Sequence, residues 1–162
     1  MVEASRTGPG RGRPIPVELD DEQCKERLRG GVMGRVGYMT PEGPRILPLN
    51  YSVLEETIVF RTAPDTELAR HAPGSTIAFE VDHFDHVRSQ GWSVLATGPC
   101  EAVTDGVEIE WMQRVWGPRP WAGGARPLHF RLPWTQLTGR RVGDDGTWYD
   151  EPLPPADQTP DA

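Results

Sequence analysis

Residues 31–62 read GVMGRVGYMTPEGPRILPLNYSVLEETIVFRT. Three runs rich in β-branched and aromatic residues, 31–39, 44–53 and 57–62, are separated by a Thr-Pro-Glu-Gly turn at 40–43 and a Leu-Glu-Glu turn at 54–56. Connections that short join neighbouring antiparallel strands, so the stretch predicts a three-stranded meander. Pro48 lacks the N–H that a central strand needs, which places the middle strand at an edge or bulges it there.

Working outward, residues 65–71 (DTELARH) predict a short helix with Asp65 or Thr66 as its N-cap. STIAFEVD (75–82) reads as a strand, and HFDHVRSQ as a polar loop. GWSVLATGPCEAVT (91–104) is long enough for one bent strand or for two pieces around Gly98-Pro99. GVEIEWMQRVW (106–116) predicts a helix, GPRPWAGGARP a loop, and residues 128–142 a last strand. Upstream, residues 17–28 predict one short, mostly exposed helix, with acids at its start and Gly30-Gly31 as its breaker. The expected architecture is mainly β: a six-stranded antiparallel barrel with short connecting helices. Closing the barrel removes the open edges of a flat meander.

The chain has 162 residues, the size of one domain. The Gly-, Pro- and Arg-rich residues 1–15 and the acidic, Pro-rich residues 143–162 offer little to bury and are expected to be disordered tails around a domain at 16–142. A net charge of −7 opposes a nucleic-acid-binding surface, which needs many cations. No apolar run is long enough to span a membrane, and the N-terminus lacks a signal-peptide core, so a cytoplasmic location is expected. Cys24 and Cys100, far apart and outside any C-x-x-C, read as two reduced thiols.

Arg61-Thr62, at a strand end just before a helix, assembles a guanidinium, a hydroxyl and backbone N–H groups, the parts of a phosphate site. The competing reading is a solvated edge charge. Asp82, His83, Asp85 and His86 are metal-capable, but adjacent loop residues without a distant third ligand read as a solvated turn. His71 and His129 have no partner constellation, and neither a Ser-containing elbow nor a Cys-His pattern supports hydrolase chemistry. The glycine clusters lack the strand–turn–helix context of nucleotide-binding loops. Among six tryptophans, Trp121 lies in a Pro/Gly-rich loop where burial is hard to arrange. It either packs the loop on the barrel or meets a planar ligand or partner. Arg140 and Arg141 are adjacent strand residues on opposite faces, so at most one can share a site with Arg61.

The order GRVGYMTPEGPRILPLNYSV, IVFRTAPDTELA, IAFEVDHFD, GWSVLATGPCEAV, PW and LTGRRV resembles the flavin-binding split β-barrel family related to pyridoxamine 5′-phosphate oxidase, in its small flavoprotein branch. The resemblance implies a homodimer holding FMN between subunits. By analogy, Pro48, Leu49, Asn50 and Tyr51 would lie along the flavin ring and Arg61 and Thr62 would grip the phosphate. Ser93, in the segment matching Trp92-Ser93-Val94, would meet the ring edge, while Trp121 and Arg140 or Arg141 would cover the cofactor. The activity implied is that of an oxidoreductase or flavin reductase with a small-molecule electron donor or acceptor, neither nucleic acid nor membrane being a partner. The chemistry is hydride transfer at flavin N5, which asks no acid, base or nucleophile of the protein.

Asp65 and Glu67 depart from the pattern, because family members carry a Gly and a Lys there. A carboxylate in place of that cation would cost about 1–3 kcal/mol of phosphate binding at a partly solvated site. Compensation by Arg70 or Arg140, or a deazaflavin of the F420 type whose phosphate lies elsewhere, are the alternatives to weak FMN binding. A non-catalytic flavin carrier or sensor, and an interaction module with a decayed site, are the readings from other classes.

Overall fold

The computed structural model describes residues 15–143. Burial alternates along β2 (Met33–Thr40), with Gly34, Val36, Tyr38 and Thr40 turned inward. That is the signature of a strand with one face on a core. β3 (Gly43–Leu54) and β4 (Thr57–Thr62) complete the meander. The remaining elements are β1 (Val17–Glu18), α1 (Asp21–Gly30), α2 (Glu67–His71), β5 (Thr76–Asp85), β6 (Gln90–Pro99), β7 (Glu101–Val103), α3 (Gly106–Trp116), β8 (Leu128–Pro133) and β9 (Gln136–Val142). The strands run β1-β9-β6-β5-β2-β3 in one sheet and β3-β4-β8-β7 in the other, with β3 shared and every pairing antiparallel.

The mainly β class is as expected, but the described residues form nine strands rather than six. The run at 128–142 is not one strand. It breaks at Trp134-Thr135, so that β8 pairs β4 in one sheet while β9 pairs β6 in the other. Thr135 N–H donates to Thr97 O at that corner. Gly98 permits the close crossing there, since a Cβ would lie 2.4 Å from Pro133 O. Residues 91–104 do fall into two pieces, β6 and β7. β5 extends to Asp85, and Asp85 Oδ1 accepts from the N–H groups of Val87 and Arg88, turning the hairpin. These backbone bonds, chiefly that of Arg88, hold its carboxyl below the usual range. Among the described residues no cluster of three or more potential metal ligands occurs.

Residues 17–18 pair with β9 instead of starting the first helix. α1 begins at Asp21, behind a capping box of Asp20 and Gln23. Its face carrying Cys24 and Leu28 is buried in the main core, a side the expectation of a mostly exposed helix missed. Phe60 sits between Phe79 and Phe130, with ring centroids 6.3 and 5.8 Å away. Both cysteines are free and buried, and burial pushes the Cys100 thiol up to about 12. The predicted tails lie outside the described residues apart from Ile15 and Gly143. No helix among those residues is long and apolar enough to cross a membrane.

α3 covers the outer side of β4 and β8. Val59, Val103 and Met112 form a second, small core there. Arg131 ties β8 to Glu101 on β7 and Glu108 on α3. His129, 2% exposed, has its Nδ1 3.0 Å from Pro127 O, so Nδ1–H donates and Nε2 accepts from the Gln113 amide at 3.4 Å. Burial lowers its pKa, and the Arg61 charge lowers it further, while the Pro127 bond acts the other way. The native state therefore binds this proton less readily than the unfolded chain, and stability falls as pH drops below about 6.5.

Two outcomes follow. Phe60→Ala leaves a cavity at the centre of the main core and is expected to lower unfolding free energy by about 3–5 kcal/mol in urea denaturation. Between pH 7.5 and 5.5 the unaltered chain is expected to lose stability to urea, and His129→Gln to lose less over the same range. An equal loss in the variant contradicts the assignment of that titration to His129.

Candidate functional site

β3 changes partners in mid-strand. Up to Asn50, opposite Met33, it pairs with β2, and from Tyr51, opposite Phe60, it pairs with β4. Arg61 is the next residue of β4, just past the point where the two strands separate. A cavity of about 190 Å³ opens in this split, between Pro48, Leu49 and Asn50 on one side and Arg61 on the other. The α3–β8 loop covers it with Trp121 and Arg126. Pro48 is thus on a stretch of β3 with only one strand neighbour, as its missing N–H predicts.

Two hydrogen bonds tie the loop to the split. Trp121 N–H donates to Asn50 Oδ1 at 2.8 Å, and Arg61 Nε–H donates to Arg126 O at 2.9 Å. Asn50 Nδ2 donates to Val32 O at 3.1 Å, so both ends of its buried amide are engaged within the fold. The Trp121 backbone is held while its indole stays outside, 71% exposed. The indole is thus not buried against the barrel, as the loop-packing reading would have it. Among the described residues no carboxylate lines the cavity. In a chain of net charge −7, an opening lined by Arg61 and Arg126 is a locally positive patch.

Of the residues singled out in the sequence, Pro48, Leu49, Asn50, Arg61 and Trp121 line this one cavity. Tyr51 points into the core, where its hydroxyl donates to Leu28 O at 2.7 Å. Thr62 is also buried, and its hydroxyl lies 3.0 Å from that of Thr66. Thr66 caps α2, accepting from Ala69 N–H and donating to Ala63 O, which leaves Thr62 as the donor. Thr62 therefore shapes the turn after Arg61 and does not line the cavity.

The β6–β9 residues lie apart. Register carries the row of Asn50 through Met33 and β5 to Ser93 and then Arg140 on one face of the sheet. At about 4.8 Å per strand, Ser93 is roughly 14 Å and Arg140 roughly 19 Å from Asn50. Trp92 and Arg141 occupy the opposite face, where Trp92 stacks under the Arg27 guanidinium at 5.4 Å. Neither terminal arginine joins Arg61 within one chain.

Glu67 lies outside the cavity lining. Its carboxylate is 3.5 Å from Arg45 Nε on β3. Arg70, offered in the sequence as a compensating cation, donates to Asp65 O, and neither it nor Arg140 is among the residues lining the cavity. Arg45 and Arg126 were missed in the sequence. An alternating strand and a Pro/Gly-rich loop give no indication of which distant group each arginine meets.

The family model described as pyridoxamine 5′-phosphate oxidase matches residues 20–141. The chain is 30% identical to an FAD-binding protein from Mycobacterium smegmatis, with a TM-score of 0.66, covering 78% of this chain and 98% of that one. It is 27% identical to DIP1874 from Corynebacterium diphtheriae, a conserved protein of unknown function, with a TM-score of 0.65 over 78% of this chain and 98% of that one. It is also 28% identical to the uncharacterized protein Rv0080 of Mycobacterium tuberculosis over 145 residues, 86% of this chain and 93% of the relative. With the split between β3 and β4 at its centre, the chain belongs to the pyridoxamine 5′-phosphate oxidase family.

Proposed function

We propose that this chain binds a flavin nucleotide, FMN or the FMN moiety of FAD, and acts as a flavin-dependent oxidoreductase. The observation that carries the reading is the acid-free cavity with Arg61 at its wall and the exposed Trp121 indole at its rim. An arginine fork suits a phosphate, and a held indole suits a flat ring. The name of the Mycobacterium smegmatis structure, an FAD-binding protein, points to the same class of ligand.

At about 190 Å³ the cavity holds only part of such a molecule, since sites for whole ligands of that size are larger. The rest would run over the outer sheet face. Exposed Met39, Ile46 and Leu95 lie on that face, and an apolar surface there suits a second copy of the chain. In a homodimer the partner would bring its own β6–β9 surface to a cofactor anchored at Arg61, completing what one chain leaves separated.

A bound flavin supplies the hydride chemistry. The chain's residues have simpler roles. Arg61 fixes the anionic end, Asn50 holds the loop that carries Trp121, and Trp121 shields one side of the ring from water. Among the described residues no general acid, base or nucleophile lines the cavity. The same absence suits a non-catalytic flavin carrier as the second reading.

Titrating the protein with riboflavin, FMN, FAD and F420, followed by flavin and tryptophan fluorescence, tests the proposal. FMN or FAD is expected to bind at micromolar concentration or tighter, and riboflavin at least about tenfold more weakly, because a charge-assisted phosphate contact is lost. Equal affinity for riboflavin and FMN, or binding of F420 alone, overturns it. Turnover of reduced nicotinamide by the loaded protein separates the oxidoreductase from the carrier.

A further inference from the structure

We infer that Arg126 is the second cation of the anion site, a specificity-determining residue that takes the role denied to position 67 by its carboxylate. The inference rests on the flavin-nucleotide reading and adds which residues recognise the phosphate.

Arg61 and Arg126 line the same cavity, and the main chain of one is bonded to the side chain of the other through Arg61 Nε and Arg126 O. Arg126 Nη1 donates to three backbone carbonyls of its own loop, those of Ala122 at 2.6 Å, Gly123 at 2.8 Å and Gly124 at 3.3 Å. These acceptors are neutral. They fix the guanidinium without cancelling its charge and leave its other N–H groups for a ligand. Several other cations meet acids instead: Arg35 meets Glu80 and Asp82, Arg131 meets Glu101 and Glu108, and Lys25 meets three acids, although Arg27, Arg70 and Arg141 also donate to backbone carbonyls. Among the described residues neither Arg61 nor Arg126 makes an ion pair.

Glu67 stands apart from the anion site. It lies outside the cavity lining and is paired with Arg45, so its field at the anion site is reduced. The cation that the α2 position lacks is supplied from the α3–β8 loop, which covers the opening. Two guanidiniums facing one cavity suit a doubly charged phosphate or a pyrophosphate better than a carboxylate.

Arg126→Gln and Arg126→Lys, titrated with FMN beside the unaltered chain, separate charge from loop-tying. Both variants lose the planar fork that ties the loop carbonyls, and only Lys keeps the charge. The inference expects Gln to weaken FMN binding about tenfold or more and Lys to stay within about threefold of the unaltered chain. It also expects a shallower salt dependence for Gln. An unchanged affinity in Gln, or equal losses in Gln and Lys, overturns the role of Arg126 while leaving the flavin reading standing. Absence of FMN and FAD binding by the unaltered chain overturns the flavin reading, and this inference with it.

Discussion

The change of partner along β3 is the constraint on which the site depends. A strand that pairs β2 up to Asn50 and β4 from Tyr51 onward must leave a gap where the second pairing stops. Side chains at the edges of that gap are free to bond the backbone of another segment. The α3–β8 loop comes in at this point, taking hydrogen bonds to Asn50 and Arg61. The main core makes the arrangement rigid: Tyr51 is anchored under α1 by its hydroxyl, and Phe60, next to Arg61, is locked among Phe79 and Phe130. Residues on either side of the gap are thus tied into the main core. The cavity between them is an outcome of topology.

Charge placement builds on this geometry. Most of the ion pairs are partly exposed, and each adds little to stability. Their effect is on where uncompensated charge remains. Glu67 is turned toward Arg45, Glu80 and Asp82 share Arg35, and the acid-free split keeps its arginines bonded to carbonyls. Burial raises the Glu80 carboxyl pKa, with Asp82 adding to the rise and Arg35 opposing it. An acidic protein can therefore present a positive opening to an anion.

Much of this was legible in the sequence, for reasons that particular elements make clear. The meander at 31–62 was readable because alternation and two short turns fix neighbours and register together. Helix α3 matches its predicted bounds, 106–116, because Asp105 caps a long apolar-periodic run. Pro48, Arg61 and Trp121 were recognisable from covalent chemistry: a missing N–H, a strand-end guanidinium and an indole without a core to enter. Less legible were β1 and β7, two and three residues long, which have no periodicity to detect and exist through their neighbours. The division of 128–142 between two sheets likewise depends on tertiary closure. The pairing of Glu67 with Arg45 joins side chains 22 positions apart by number. No local pattern encodes it, and for that reason Glu67 read as a repulsive charge in the site.

If the split between β3 and β4 is an anion site, an anion entering it is met by both Arg61 and Arg126. A crystal structure of the protein grown with FMN tests this most directly. Phosphate oxygens are expected within hydrogen-bond distance of both guanidiniums, with Glu67 still on Arg45 and the Trp121 indole against the ring. A phosphate lying instead on Arg140, or beside α2 with Arg61 still bonded only to Arg126 O, would contradict it.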